Sequence, residues 1–217
     1  MDQLVPPSGF DPDQPSPQDL LWGYRQGLFP MGSPEHGGLD WYCPDPRAVL
    51  DLSAFHVPRS LARRVRSKRF EICFDRDFEA VIDACSRLDD QKEEGNWITP
   101  AIRAAYLRLH QQGHAHSVEA YRGGALVGGL YGVRIGAAFF GESMFSDPGR
   151  GGRDASKVAL VHLVEQLRLA EFLLLDVQFH TPHLEQFGCQ ELPREDYLEQ
   201  LAVAVEQQCG PLGAANL

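Results

Sequence analysis

The sequence has no apolar, uncharged run of roughly 18 residues, so no membrane-spanning helix is expected. Its opening, MDQLVPPSGFDPDQPSP, has neither the basic start nor the apolar stretch of a secretion signal. A cytosolic protein with no membrane partner is therefore expected. Cysteine is sparse: Cys43, Cys73, Cys85, Cys189 and Cys209 are scattered, odd in number and without a C-x-x-C pair, which argues against a disulfide framework or a zinc ribbon. Metal motifs are missing too. His180 and His183 are separated by Pro182 and follow a strand pattern, and no H-E-x-x-H spacing occurs, so no metal is expected. His110 reads as a cation near the end of a helix, and His114 and His116 as the start of a strand.

Positive charge is also short. Twenty Lys and Arg face 30 Asp and Glu, for a formal net charge of −10. That excludes a protein that coats nucleic acid with its whole surface, though not one with a local basic patch. The glycine-rich segment GRGGRDASK at 149–157 lacks the G-x-x-x-x-G-K-[ST] spacing of a nucleoside-triphosphate loop. It also lacks the R/Q-x-x-G-x-G pattern by which acyltransferases hold the coenzyme A pyrophosphate. It reads either as a surface turn or, through Arg150, Arg153 and Lys157, as a phosphate contact. No cofactor is expected.

What is present is a globular composition. The 217 residues are 43% hydrophobic and 23% charged, enough for one sizeable core or a main domain with a small lobe. Residues 1–18 read as a loose arm, followed by a helix from Ser16 to Gly27 with Pro17 at its first position. Residues 31–46 read as an ordered loop that packs Trp41 and Tyr42, with a soft boundary near Pro46. Strands are predicted at 48–52 and 70–75, and helices at 58–68 and 77–88. Thr99, Pro100 and Gly113 bracket the clearest helix, at 99–112. Residues 116–145 read as three antiparallel strands, with Gly123-Gly124 marking a tight hairpin. A helix from Ser156, a strand LLLDVQF and further helices over HLEQFG and EDYLEQLAVAVEQQ complete an α+β pattern around a mainly antiparallel sheet.

Two features carry chemistry. Between Arg59 and Arg69 lie Arg59, Arg63, Arg64, Arg66, Lys68 and Arg69, with no acid among them. Such segregation favours a phosphate-contacting patch over an ordinary solvated face. Second, Glu142 and Asp176 each follow the apolar part of a predicted strand. Either is a capping or salt-bridged carboxylate on its own, or the two meet at one end of the sheet, where they would suit a cationic amine.

The blocks GYRQGLFP, WYCPDPRAVL, EEGNWIT, AYLRLHQQGHAHSVE, LVGGLYGV, FFGESMFS, ASKVAL and LDVQFHTPHLEQFG, in this order, closely resemble the bacterial leucyl/phenylalanyl-tRNA–protein transferases from about Leu20 to Leu201. The resemblance implies an enzyme that moves Leu, Phe or sometimes Met from aminoacyl-tRNA to the N-terminal Arg or Lys of a protein, marking it for N-degron degradation. It implies a small N-terminal domain, here 1–46, and a GNAT-like (N-acetyltransferase-type) domain, here 47–217. By the resemblance, Asp176 and Gln178 polarise the acceptor amine, with Gln178 as the relay, and Glu142 lies by the acceptor's basic side chain. The implied aminoacyl pocket is Leu130, Phe139, Phe140, Leu160 and Leu175. Trp97, Tyr24 and Met31 correspond to family positions around the tRNA 3′ adenosine, where the family usually has a tryptophan in place of Met31. The 59–69 cations correspond to the tRNA-backbone contact. A monomer is expected. A transfer using another aminoacyl-tRNA or an acidic acceptor, and a coenzyme A-dependent N-acetyltransfer, are the alternatives.

Overall fold

A computed structural model describes residues 6–33, 38–89 and 97–213. The first helix, α1 (Pro17–Arg25), starts in a capping box: the Ser16 side chain accepts from the Asp19 amide, and the Asp19 carboxylate accepts from the Ser16 amide. A two-stranded antiparallel sheet follows, formed by β1 (Phe29–Gly32) and β2 (Leu39–Tyr42). The next elements are β3 (Arg47–Leu50), α2 (Arg59–Arg66), β4 (Glu71–Phe74), α3 (Phe78–Asp89) and α4 (Pro100–Gln111). Then come β5 (Ala115–Arg122), β6 (Ala125–Ile135), β7 (Ala138–Ser146), α5 (Ala155–Leu169), β8 (Leu174–Gln178), α6 (Pro182–Glu185), β9 (Cys189–Leu192) and α7 (Arg194–Glu206).

β3 to β9 build one seven-stranded sheet in the order β4-β5-β6-β7-β8-β3-β9. Every pairing is antiparallel except β7 with β8, which runs parallel. The predicted α+β architecture with a mainly antiparallel sheet is thus the one present. The hairpin between β5 and β6 turns on Gly123 and Gly124, whose φ angles of 58° and 78° match the left-handed pair that a tight turn of this hand requires. On one face of the sheet Phe78, Ile82, Ile102, Tyr106, Phe140 and Leu201 join one core cluster with Leu20 and Tyr24 of α1. On the other, Val118, Leu130, Phe139, Leu175 and Phe187 pack against Val158, Leu163 and Leu167 of α5. Adjacent strand residues therefore serve opposite layers, as the pleat demands.

Three elements differ from the sequence expectation. The segment read as a loop over 31–46 contains the end of β1 and all of β2 and places Trp41 against Phe10, ring centroids 5.5 Å apart. The arm before α1 is tied down in its described part, because Phe10 also packs on Trp22 and the Asp13 carboxylate accepts from the Leu39 amide at 2.8 Å. Between α6 and α7, the short edge strand β9 pairs with β3.

Candidate active site

The site forms where the parallel pair comes apart. β7 and β8 are in register through Phe140 and Asp176, and pairing stops there. The chains continue to Glu142 on one side and Gln178 on the other, and both side chains line a cavity of about 730 Å³. Its walls are mostly apolar, with Leu130, Leu160, Leu163, Leu175 and Val177 together with Phe29, Met31, Trp97 and Phe179. Ser143, Ser146, Ser156, Lys157 and Arg153 add polar groups along one rim. A large apolar recess with a few converging polar groups is the usual form of a small-ligand or acyl site.

Gln178 sits at this point in an unusual backbone state. Its φ is +58°, rare for a residue with a side chain, and its amide donates to Asp176 Oδ1 at 2.9 Å. The turn it makes lets its side chain reach the cavity instead of continuing the strand alternation. Gln178 Nε2 is buried and has no hydrogen-bond partner among the described residues. A buried amide donor left unpaired is costly, and one on a cavity wall is set up to meet a ligand acceptor.

Glu142 is half-buried beside it. Its Oε1 accepts from the Tyr24 hydroxyl at 2.7 Å and its Oε2 from the Tyr106 hydroxyl at 3.0 Å, while the two hydroxyls also contact one another. Burial raises the Glu142 carboxyl to about 7, the two tyrosine hydroxyls pull it back down, and Asp176 pushes it further up. No cation is within ion-pair distance of it among the described residues. This carboxylate is therefore titratable near neutral pH and open to a cationic ligand. The two tyrosines are buried, and burial together with the Glu142 charge keeps their hydroxyls protonated as donors.

Asp176 behaves differently. It is fully buried and its oxygens accept four hydrogen bonds: Oδ1 from Arg47 Nε at 2.9 Å and from the Gln178 amide, Oδ2 from Arg47 Nη2 and the Tyr197 hydroxyl, both at 2.7 Å. That fills the lone-pair sites of a carboxylate. Of the three expected catalytic residues, Glu142 and Gln178 line the cavity, whereas Asp176 does not and is joined to it through the Gln178 backbone amide. Arg47 carried no local signal of this role, since its partner lies 129 residues away.

Three other expected positions also lie off the cavity. Tyr24 is 0% exposed, bonded to Glu142 and packed on the Phe140 ring, so its face is unavailable to a nucleobase. Phe139 and Phe140 are each 0% exposed and lie off the cavity, in the two opposite core clusters. Leu130, Leu160 and Leu175 do line it. Met31 and Trp97 also line it and are held together, because the Gly32 amide donates to the Trp97 carbonyl at 3.0 Å. A side chain at position 32 would meet Thr99 Cγ2 at 2.7 Å and the Trp97 carbonyl at 2.9 Å, so glycine is required for this approach.

The cations fall into one region. Arg59, Arg63, Arg66, Lys68 and Arg69 are on and after α2 and exposed, whereas Arg64 is half-buried; both Arg64 and Arg69 turn to the 147–154 loop, Arg69 donating to the Gly151 carbonyl at 3.4 Å. Arg64 donates to the Arg153 carbonyl at 3.0 Å and pairs with Asp154 at 3.3 Å, and Arg122 donates to the Gly151 carbonyl at 3.2 Å. The glycine-rich loop and the basic helix, two separate features in the sequence, are thus one surface leading to the cavity rim at Arg153 and Lys157. His183 also lines the rim, where burial and Lys157 hold it below its usual pKa, while no group of three or more potential metal ligands occurs among the described residues.

Comparison with known proteins identifies a family. The family model for leucyl/phenylalanyl-tRNA protein transferase matches residues 49–202, and the model for its N-terminal domain matches residues 13–45. Proteins named leucyl/phenylalanyl-tRNA–protein transferase from Salinibacter ruber and Anaeromyxobacter sp. are 48% and 51% identical over 195 and 191 residues, covering 90% and 88% of this chain and 82% and 80% of theirs. One from Rubrobacter xylanophilus is 51% identical over 88% of this chain and 95% of its own. Among solved structures, L-PGS from Bacillus licheniformis is 10% identical with a TM-score of 0.45, covering 88% of this chain and 70% of its own. The chain belongs to the leucyl/phenylalanyl-tRNA protein transferase family.

Proposed function

We propose that the chain moves leucine, phenylalanine or methionine from aminoacyl-tRNA to the N-terminal Arg or Lys of an acceptor protein, marking that protein for N-degron degradation. The observation that carries this reading is the pairing of an apolar cavity with Glu142 and Gln178 at its polar end. The aminoacyl side chain occupies the apolar part, against Leu130, Leu160 and Leu175. Such a pocket separates apolar side chains differing by a methylene by only about 1–3 kcal/mol, which fits more than one donor. Trp97 and Met31 flank the terminal adenosine, Trp97 by stacking. The cations of 59–69 meet the tRNA backbone, and Arg153 and Lys157 lie where that path enters the cavity.

Glu142, when ionised, holds the cationic side chain of the acceptor. The acceptor α-amine, with an ordinary pKa near 8, is deprotonated easily, and the aminoacyl ester is already activated, so positioning is the main demand. The amine nitrogen attacks the ester carbonyl, an amide C–N bond forms, and the ester C–O bond breaks. The proton released by the amine passes to the departing ribose oxygen, regenerating the tRNA 3′-terminal hydroxyl. Gln178 lines the cavity with a free amide donor, suited to the ester carbonyl oxygen that gains charge during attack.

In this reading residues 1–46 are a small domain carrying the Met31 wall, residues 47–217 are the transferase domain, and the protein works as a cytoplasmic monomer. Incubation with labelled Leu-tRNA, Arg-tRNA or acetyl-CoA and a peptide beginning with Arg or Asp tests it. Label should pass from Leu-tRNA to the Arg peptide. Transfer only from acetyl-CoA, or only to the Asp peptide, contradicts it.

A further inference from the structure

Arg47 is the only fully buried Lys or Arg among the described residues. Its guanidinium joins three distant parts of the chain. Nη1 donates to the Gly27 carbonyl at 3.0 Å, just after α1; Nε and Nη2 grip Asp176 on β8; and the rings of Phe29 on β1 and Tyr197 on α7 lie 4.8 and 4.7 Å from its centre. Phe29 and Gln178 are both cavity walls; Arg47 touches the Phe29 ring directly and reaches Gln178 in two steps, through Asp176 to the Gln178 backbone amide.

We propose that Arg47 is a positioning residue for the transfer: by fixing Asp176, which accepts from the Gln178 backbone amide, it sets the left-handed backbone of Gln178 and so the place of the Gln178 side-chain amide opposite Phe29 and Met31. The inference rests on the function proposed above. Burial opposes the Arg47 charge, and Asp176 more than offsets that, so the guanidinium stays ionised. Bidentate geometry is what matters here, since a lysine at the same place keeps the charge but has no planar fork to match the carboxylate.

The test uses the full chain in single-turnover transfer from Leu-tRNA to an Arg peptide, with wild type, Arg47→Lys, Gln178→Ala and the double variant. Arg47→Lys should lower the rate constant at saturation roughly 10- to 100-fold, with KM for both substrates nearly unchanged. In the Gln178→Ala background the same change should cost less than about two-fold, because the group it positions is gone. Equal losses in both backgrounds overturn the proposal and leave Arg47 a purely structural ion. A second reading needs no activity: the Gln178 side-chain amide resonance should shift in Arg47→Lys, and an unmoved resonance also overturns it. Should Arg47→Lys fail to fold, Tyr197→Phe, which removes one hydrogen bond to Asp176 without removing charge, takes its place in both measurements with the same expectations. Absence of transfer by the wild type would remove the proposed function, while the resonance would still decide the positioning.

Discussion

Asp176 and Glu142 are carboxylates on neighbouring parallel strands, close enough to influence one another, yet they are built for opposite purposes. Asp176 has four donors, two of them from one guanidinium, and no exposure. Glu142 has two tyrosine hydroxyls and a cavity in front of it. A carboxylate that already has its cation is fixed framework. One held only by neutral donors keeps its charge negotiable and its outer face free for a ligand, and the difference shows which of two adjacent acids meets substrate.

The comparison breaks most visibly at Arg47. Arg47→Met strands a buried carboxylate and should cost about 3–5 kcal/mol in denaturant unfolding. Arg47→Met combined with Asp176→Asn should recover most of that loss, because the unpaired charge is gone. Glu142 should instead give a pH signature. Its carboxyl titrates at about 7 in the fold against an ordinary value of 4.5, so between these the native state binds more protons than the unfolded one. Stability should therefore fall by on the order of 2 kcal/mol as pH rises through that window, and Glu142→Gln should flatten the fall.

Smaller effects concern the donor. Trp97→Ala should weaken aminoacyl-tRNA binding by about 1 kcal/mol, the low end for a stacked base, because Met31 supplies no second ring. Replacing Arg59, Arg63 and Arg66 together by Ala should reduce the salt slope of tRNA binding by roughly 2–3, read from binding titrations at several salt concentrations. Arg64 is omitted from that set because its guanidinium is engaged by the 147–154 loop.

Much of the fold was legible because its signals are local. Thr99 does cap α4 by accepting from the Ile102 amide, and Gly123-Gly124 does turn the hairpin. β1, β2 and β9 are four residues each, too short for a periodic pattern, and Pro30 and Gly32 disguise the first. In the site, strand ends and the resemblance both pointed to Glu142, while Gln178 and the three cavity leucines came from the resemblance alone. Arg47 could not, because an ion pair between distant positions leaves no mark in either neighbourhood. Phe139 and Phe140 hold a plainer lesson: consecutive strand residues face opposite ways, so the two could not both line one pocket. For Tyr24 the motif carried the residue but not its burial.

The most direct test of the account is KM for a peptide beginning with Arg, measured on either side of neutral pH for the wild type and Glu142→Gln. Ionisation of Glu142 at about 7 predicts that the wild-type KM falls as pH rises through neutrality, and that the glutamine variant has a higher KM without that trend. A KM that changes identically with pH in both proteins would contradict the assignment of Glu142 as the acceptor-binding carboxylate.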